Sequence, residues 1–167
     1  MKNLLFLCGP NGIGKTTISK EIVRILPNSA YVDSDWCRIM NPFVLNDDTI
    51  PVISNNISSM ILSYFNCPIV ETVIFSYGFH GRRKEVFENV VRKSAEFPYN
   101  FIPYLLWCGE EENIKRMKID GRSAEQIERT INQSRKSFDG VTYEKMDITD
   151  MSVNQAANAI ITAAGLE

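Results

Sequence analysis

The chain has 167 residues, 44% of them hydrophobic and 23% charged, with a formal net charge of −2. That length suits one domain, expected to span residues 1–167, and the near-neutral charge offers no basic field for a nucleic-acid backbone, so long polynucleotide is not the expected partner. No apolar run has the length of a membrane span, and Cys8, Cys37, Cys67 and Cys108 stand far apart without a C-x-x-C pair, which reads as small buried hydrophobes rather than a metal or disulfide framework.

Residues 4–8 form a short continuous apolar run, the pattern of a buried strand. The run after Met1-Lys2 is too short for a signal peptide and leads straight into glycines, so the expected compartment is the cytoplasm. Gly9, four further residues and then Gly14-Lys15-Thr16 match the phosphate-loop pattern G-x-x-x-x-G-K-[ST]. Ile18, Ile22, Ile25 and Leu26 follow at helical spacing, so the loop sits between a strand and a helix, as its mechanism requires. Across Gly9, Asn11, Gly12, Ile13 and Gly14 few side chains obstruct the backbone, and successive N–H groups can turn inward around a polyphosphate. The helix that begins there adds unpaired N–H groups and the positive end of its dipole. Lys15 is expected to reach the β- and γ-phosphates of ATP, the Thr16 hydroxyl to ligate Mg²⁺, and Thr17 to hydrogen-bond an α-phosphate oxygen.

Pro27 and Asn28 end that helix, and residues 30–32 read as a second strand leading into Asp33-Ser34-Asp35. Strand, helix and strand in close succession make a βαβ unit with a right-handed crossover. Phosphoryl transfer to a hydroxyl needs a carboxylate that orients the acceptor and takes its proton, and Asp35 suits that role. Asp33, at the strand terminus, suits the Mg²⁺ shell, while Arg38, three residues beyond Asp35, is placed to bind the acceptor. The plainer reading of the two aspartates is an Asx turn with a helix cap.

Residues 49–70 hold no charge. Ile53, Ile57, Met60, Ile61 and Tyr64 share one face of a helix, and Ser54, Asn55, Ser58 and Ser59 supply an uncharged polar one. Residues 68–75 predict a third strand, which empties into a loop containing Gly78, His80 and Gly81 at the end where open α/β sheets bind ligands. Gly78 is a candidate substrate contact there. Arg82 and Arg83 follow and could hold an anionic acceptor. Val86, Phe87, Val90 and Val91 mark the next helix, and residues 101–108 a fourth strand, with Pro103 at its beginning or at an unpaired N–H. Glu110, Glu111 and Glu112 open a helix that ends in Lys115, Arg116 and Lys118, and Asp120-Gly121 breaks it. Ser123 with Gln126 signals a capped helix reaching about Phe138, residues 143–148 a weaker fifth strand, and Ser152 with Gln155 a capped terminal helix. The fold class is therefore α/β, a three-layer α/β/α arrangement with five parallel strands.

Guanine specificity is not expected without an N-K-x-D motif, and a large mechanochemical ATPase is not expected when the third strand ends Ile74-Phe75-Ser76 instead of in an acidic pair. GPNGIGKTT, YVDSDWCR, VIFSYGF, NIKRMKIDGR and MDITDMSVNQAANAI together resemble the small P-loop kinases of the shikimate and gluconate kinase type, with zeta-toxin and polynucleotide kinase relatives, over nearly the whole chain. The resemblance implies a strand order of 2-3-1-4-5, an acceptor-binding aspartate at Asp35, a mobile lid near residues 118–123 carrying Arg122, and an adenine-packing arginine at Arg116. The spacing of Asp35 and Arg38 is closer to polynucleotide and adenylylsulfate kinases. The glycine run that follows the third strand in shikimate kinases is reduced here to Gly78 and Gly81, so shikimate is not the expected substrate. The expectation is an ATP- and Mg²⁺-dependent kinase acting on a small molecule, as a monomer or homodimer without membrane contact. Its rivals are a nucleotide-binding ATPase or switch acting on a protein, and a nucleic-acid end kinase.

Overall fold

A computed structural model describes residues 1–166. Its centre is β1 (Lys2–Cys8), flanked in parallel by β3 (Thr72–Tyr77) and β4 (Tyr99–Trp107). β2 (Ser29–Asp33) lies outside β3 and β5 (Glu144–Asp147) outside β4, giving five parallel strands in the order 2-3-1-4-5. The apolar run of β1 resolves into two faces, because successive side chains of a strand point to opposite sides. Leu4, Phe6 and Cys8 face a core shared with α2 (Thr49–Phe65) and α3 (Arg83–Ser94), where Phe6 stacks on Phe87 at 4.4 Å between ring centroids. Leu5 and Leu7 face a second core shared with α1 (Lys15–Ile25) and α6 (Val153–Ala163). A central parallel strand covered on both sides needs apolar residues at every position, which is why β1 shows no alternation.

The uncharged α2 departs from its expected pattern. Ser54 and Ser58 are buried beside Ile53, Ile57 and Ile61, while Asn55 and Ser59 are exposed. The buried hydroxyls donate back to the carbonyls of Ile50 (2.7 Å) and Ser54 (2.8 Å), so these small residues carry no unsatisfied polar group into the packing between α2 and α3.

The third strand begins four residues later than the predicted 68–75. Lys2 Nζ donates to the carbonyls of Cys67 (2.7 Å) and Val70, holding that stretch as a turn, and pairing with β1 starts at Thr72 opposite Asn3. Pro103 stands mid-strand opposite Phe6, one residue before β5 begins to pair at Tyr104, where fewer ladder bonds are needed from β4.

Between α4 (Glu110–Ile119) and β5, the helix predicted to reach about Phe138 is regular only over α5 (Ala124–Arg129). It then widens into a π-turn over Thr130–Ser134, closed by the Arg135 N–H on the Thr130 carbonyl at 3.0 Å, and tightens into a 3₁₀ turn over Lys136–Phe138. Both capping boxes expected from the sequence are formed, Ser123 with Gln126 and Ser152 with Gln155. Among the described residues, no helix is long and apolar enough to cross a membrane.

Candidate active site

The loop after β1 is shaped by two glycines where a larger residue would be strained and crowded. Gly9 has a φ of +149°, and a Cβ there would lie 2.4 Å from the backbone carbonyl oxygen of Leu106. Gly12 has a φ of +74°, and its Cβ would lie 2.2 Å from Met117 Cγ, a buried side chain of α4. Gly14 then serves as N-cap of α1 in the left-handed region, with no side chain capping the helix. The first N–H groups of α1 thus have no side-chain acceptor of their own at the place where the helix dipole is positive.

Lys15 is folded inward onto its own loop. Its Nζ donates to the carbonyls of Gly9 (2.8 Å) and Pro10 (2.6 Å). Burial pulls the Lys15 ammonium down to about 8, against the opposing attraction of the Asp35 carboxylate. Cys8, beneath the loop, is pushed up to about 12 by burial and is an inert thiol.

Distant parts of the chain hold this loop. The Asn11 N–H donates to Ser134 Oγ in the π-turn (3.1 Å), and its carbonyl accepts from Asn113 Nδ2 (3.0 Å). Arg135 Nη1 in turn donates to Asn113 Oδ1 at 3.1 Å. The Asn11 backbone is therefore committed to the protein, which leaves its side chain as the part able to meet a ligand. Asn113 opens the NIKRMKIDGR stretch and Ser134 belongs to no motif, but only folding reveals that both hold Asn11.

A cavity of about 310 Å³ opens beside the loop. Its lining combines Asn11, Gly12, Gly14, Lys15, Thr16 and Thr17 of the loop with Asp33, Asp35, Arg38, Tyr77, Gly78, His80 and Arg83 from beyond β2 and β3, and with Asp120 and Arg122 from the bend after α4. Most of the residues singled out from sequence thus meet in one place. Asp33 Oδ1 accepts the Asp35 N–H at 3.0 Å, so the expected Asx turn is present and leaves the second oxygen of Asp33 outside that bond. Asp35 is exposed and pairs with Arg38, whose Nε lies 3.0 Å from Asp35 Oδ1 and whose Nη2 donates to the same oxygen.

Arg82 does not join them. It pairs with Asp47 (2.7 Å) and Glu85 (2.8 Å) on the surface, while Arg83, one residue further and about 100° around the helix, lines the cavity. Arg83 Nε donates to His80 Nε2 at 2.8 Å. His80 is held down to about 4, by burial first and then by the positive charges of Lys15 and Arg38, so it is neutral and carries its proton on Nδ1.

Arg122 follows a Schellman turn, in which the Gly121 N–H meets the Lys118 carbonyl (3.0 Å) and the Arg122 N–H meets the Met117 carbonyl (3.0 Å). Ser123, the next residue, caps α5. The side chain of Arg122 is thus presented at the cavity rim from a short, exposed bend between two helices.

A second cavity, of about 290 Å³, shares Gly12, Gly14, Thr17 and Asp120 with the first and is walled by Ile119, Ile148, Met151 and Val153. Arg116 lies in its floor rather than free beside it. Its guanidinium pairs with Glu112 (2.9 Å) and donates to the carbonyls of Ile13 (3.0 Å), Ile148 (2.9 Å) and Thr149 (3.3 Å). Arg116 therefore ties the phosphate loop to the segment after β5. Ile13 itself is buried, lining this second cavity.

Strand order, the loop after the first strand and the helix rising from it define the P-loop NTPase fold. No family model and no curated protein sequence matches the chain. Among solved structures it is similar to the Deinococcus radiodurans tunicamycin resistance protein (14% identity, 100% of this chain and 98% of that one covered, TM-score 0.73). It is also similar to a gluconokinase from Sinorhizobium meliloti (12%, 98% and 91% covered, TM-score 0.63) and a sugar kinase from a Janibacter species (12%, 99% and 96% covered, TM-score 0.64). At such identities the likeness is one of fold, shared with P-loop kinases of the gluconate kinase-like group.

Proposed function

We propose that the chain is an ATP- and Mg²⁺-dependent phosphotransferase that moves the γ-phosphate to a hydroxyl or phosphate group of a small molecule. The observation that carries this reading is that Lys15 and Asp35 line one cavity. A phosphate loop alone fits any nucleotide-binding protein, whereas a facing carboxylate is what transfer to an acceptor requires.

The residues present fit both nucleotide and metal. The uncapped start of α1 and the glycine-lined loop suit a polyphosphate, and Lys15 has only two loop carbonyls to give up for one. The apolar walls of the second cavity suit a purine, with Arg116 shaping its floor through the Ile13 and Ile148 carbonyls. Among the described residues no three His, Cys, Asp or Glu side chains gather into a cage. Magnesium is usually held by one or two protein oxygens together with phosphates and water, and Thr16 with Asp33 would supply those oxygens. Bound there, the ion would neutralise charge on the β- and γ-phosphates.

The acceptor hydroxyl would face Asp35, which orients it and takes its proton as the γ-phosphoryl group passes from ATP to the acceptor oxygen and ADP is released. Arg38 holds the Asp35 carboxylate in place, and Arg122 brings positive charge from the rim when the bend closes. The proposed setting is cytoplasmic. The test is a screen of hydroxylated and phosphorylated small molecules with labelled ATP, against slow hydrolysis to water. A true acceptor should be phosphorylated well above that background, and Asp35→Asn should lower transfer by about 10²–10⁴ with little change in ATP affinity. Loss of ATP binding with transfer intact at saturation would move Asp35 to the metal site and the acceptor role to Asp33.

A further inference from the structure

Tyr31 stands in β2 two residues before Asp33, and its side chain crosses to β3, where the phenol oxygen meets Ser76 Oγ at 2.9 Å. In the sheet Tyr31 is opposite Ile74 and Asp33 is opposite Ser76, so this is a diagonal contact on one face, within the span of a long aromatic side chain. The ring packs on the core shared with α1 and α6, the side of the sheet covered by the helix that rises from the phosphate loop. Thr16, in the first turn of α1, lies on that side too. Burial pushes the Tyr31 phenol up, and its contacts with the hydroxyls of Ser76 and then Thr16 act against that rise. Three hydroxyls therefore converge between the ends of β2 and β3 and the first turn of α1, and two of them, Thr16 and Ser76, line the first cavity beside Asp33.

This position matters for the chemistry of the loop. Phosphate-loop ATPases hold magnesium with the Ser or Thr of the loop and with an aspartate supplied by another strand. Here β3 is the direct neighbour of β1, and it ends in Phe75, Ser76 and Tyr77 without an acid. The two aspartates beyond β2 are already engaged, Asp33 with the Asp35 N–H and Asp35 with Arg38. A hydroxyl that gives a lone pair to a cation becomes a stronger donor and needs an acceptor for its hydrogen. The Tyr31 oxygen can be that acceptor for Thr16, because its own hydrogen can go to Ser76.

We propose that Tyr31 is a positioning residue for the metal and nucleotide: its phenol accepts the Thr16 hydroxyl and donates to Ser76, in the place where other phosphate-loop proteins use a carboxylate. The role rests on the reading of Thr16 as a magnesium ligand. A neutral acceptor makes a weaker bond than a charged one, so this site holds the ion chiefly through the nucleotide's phosphates.

The test needs no acceptor. ADP is titrated calorimetrically into the full chain, once with Mg²⁺ and once with EDTA, and the ratio of the two affinities measures what the ion adds. Tyr31→Phe keeps the ring and its packing and removes only the phenol oxygen. It should lower the ratio about three- to tenfold, the size of one neutral hydrogen bond, and leave ADP affinity in EDTA unchanged. Ser76→Ala should lower the ratio in the same direction by less, and it carries the comparison if Tyr31→Phe does not fold. Thr16→Val should lower the ratio most, and Tyr31→Phe added to it should lower it no further, because the phenol acts through Thr16.

An unchanged ratio in Tyr31→Phe overturns the proposal. So does an equal loss of affinity with and without the ion, which is what a bond that merely joins β2 to β3 would give. A further loss in the double variant overturns it as well, since the phenol would then act by another route. If magnesium adds nothing in the wild type, or Thr16→Val leaves the ratio as it was, the ligand reading of Thr16 fails and takes this role with it. If Thr16→Val lowers the ratio and Tyr31→Phe does not, the ligand reading stands and Tyr31 alone loses its part.

Discussion

The two walls of the first cavity are built in different ways. The phosphate wall is pinned from several directions: Gly9 against the Leu106 carbonyl, Gly12 against Met117, Asn11 by Asn113 and Ser134, and Ile13 by Arg116. In the rest of the lining, Asp33, Asp35 and Arg38 are held mainly by one another, and Arg122 by the turns at either side of it. A nucleotide's phosphates are the same in every turnover, so a preorganised cradle suits them. On the proposed function an acceptor must enter and leave, and the groups proposed to meet it sit on short, partly exposed segments that can move with little loss of packing.

Lys15→Ala breaks the phosphate wall and has the largest expected effect. Transfer should fall by at least about 10³, since the lost charge acts where negative charge concentrates during the reaction. The stabilisation that ATP with Mg²⁺ gives in thermal unfolding should shrink as well. Wild-type activity in this variant would remove the basis for reading the loop as a phosphate site. Arg122→Ala tests the mobile side, where turnover should drop about 10–10²-fold while ATP affinity changes less, because the contact forms chiefly in the closed complex. A defect confined to binding, or none, would argue against a closing role.

What the sequence revealed follows the same division. The phosphate loop depends on contiguous residues and a strand-helix context, so Gly9 to Thr17 could be read directly. The strand order came with the resemblance and agrees with the fold. Arg82 and Arg83 could not be separated, because which of two adjacent residues faces the cavity depends on where α3 begins, and helix starts are uncertain by more than one residue. Asn113 and Tyr77 stand inside stretches that carry the resemblance and Ser134 outside them, but the bonds of Asn113 and Ser134 to Asn11 and the burial of Tyr77 are visible only in three dimensions. Arg116, expected from the resemblance to pack near adenine, borders the second cavity, and its commitment to three carbonyls is visible only in three dimensions.

Two glycines with nearly the same backbone angle sharpen the contrast. Gly12 (φ +74°) is crowded by Met117, whereas Gly121 (φ +72°), in the bend before Arg122, has nothing within 4 Å of an added Cβ. Gly121→Ala should cost about 1 kcal/mol, the strain of a left-handed alanine alone. Gly12→Ala adds a steric clash and should cost about 2–3 kcal/mol in denaturant unfolding, with weaker ATP stabilisation. Equal costs at the two sites would mean that Met117 gives way freely and the loop is less tightly held than its packing implies.

The smallest expected effect is one of pH, and it separates the free loop from the filled one. Lys15 is held at about 8 in the folded protein against 10.5 for an unperturbed lysine. Between those values the unfolded chain binds more protons at this site than the folded one, so raising the pH through that window stabilises the free protein through Lys15. Nucleotide binding has the opposite dependence. Phosphate oxygens favour the ammonium form, so above pH 8 the binding reaction must take up a proton, and affinity should fall by at most about tenfold per pH unit. The last phosphate ionisation, near about 6, is complete in this range and does not obscure the effect. Calorimetric titration of ADP with Mg²⁺ between pH 7 and 9.5, in buffers of different ionisation heat, should show proton uptake rising from near zero toward one. Lys15→Met should abolish that rise along with most of the affinity. Affinity independent of pH over this range would mean that Lys15 is already fully charged in the free loop, with the Gly9 and Pro10 carbonyls stabilising the ammonium rather than merely storing it until phosphate arrives.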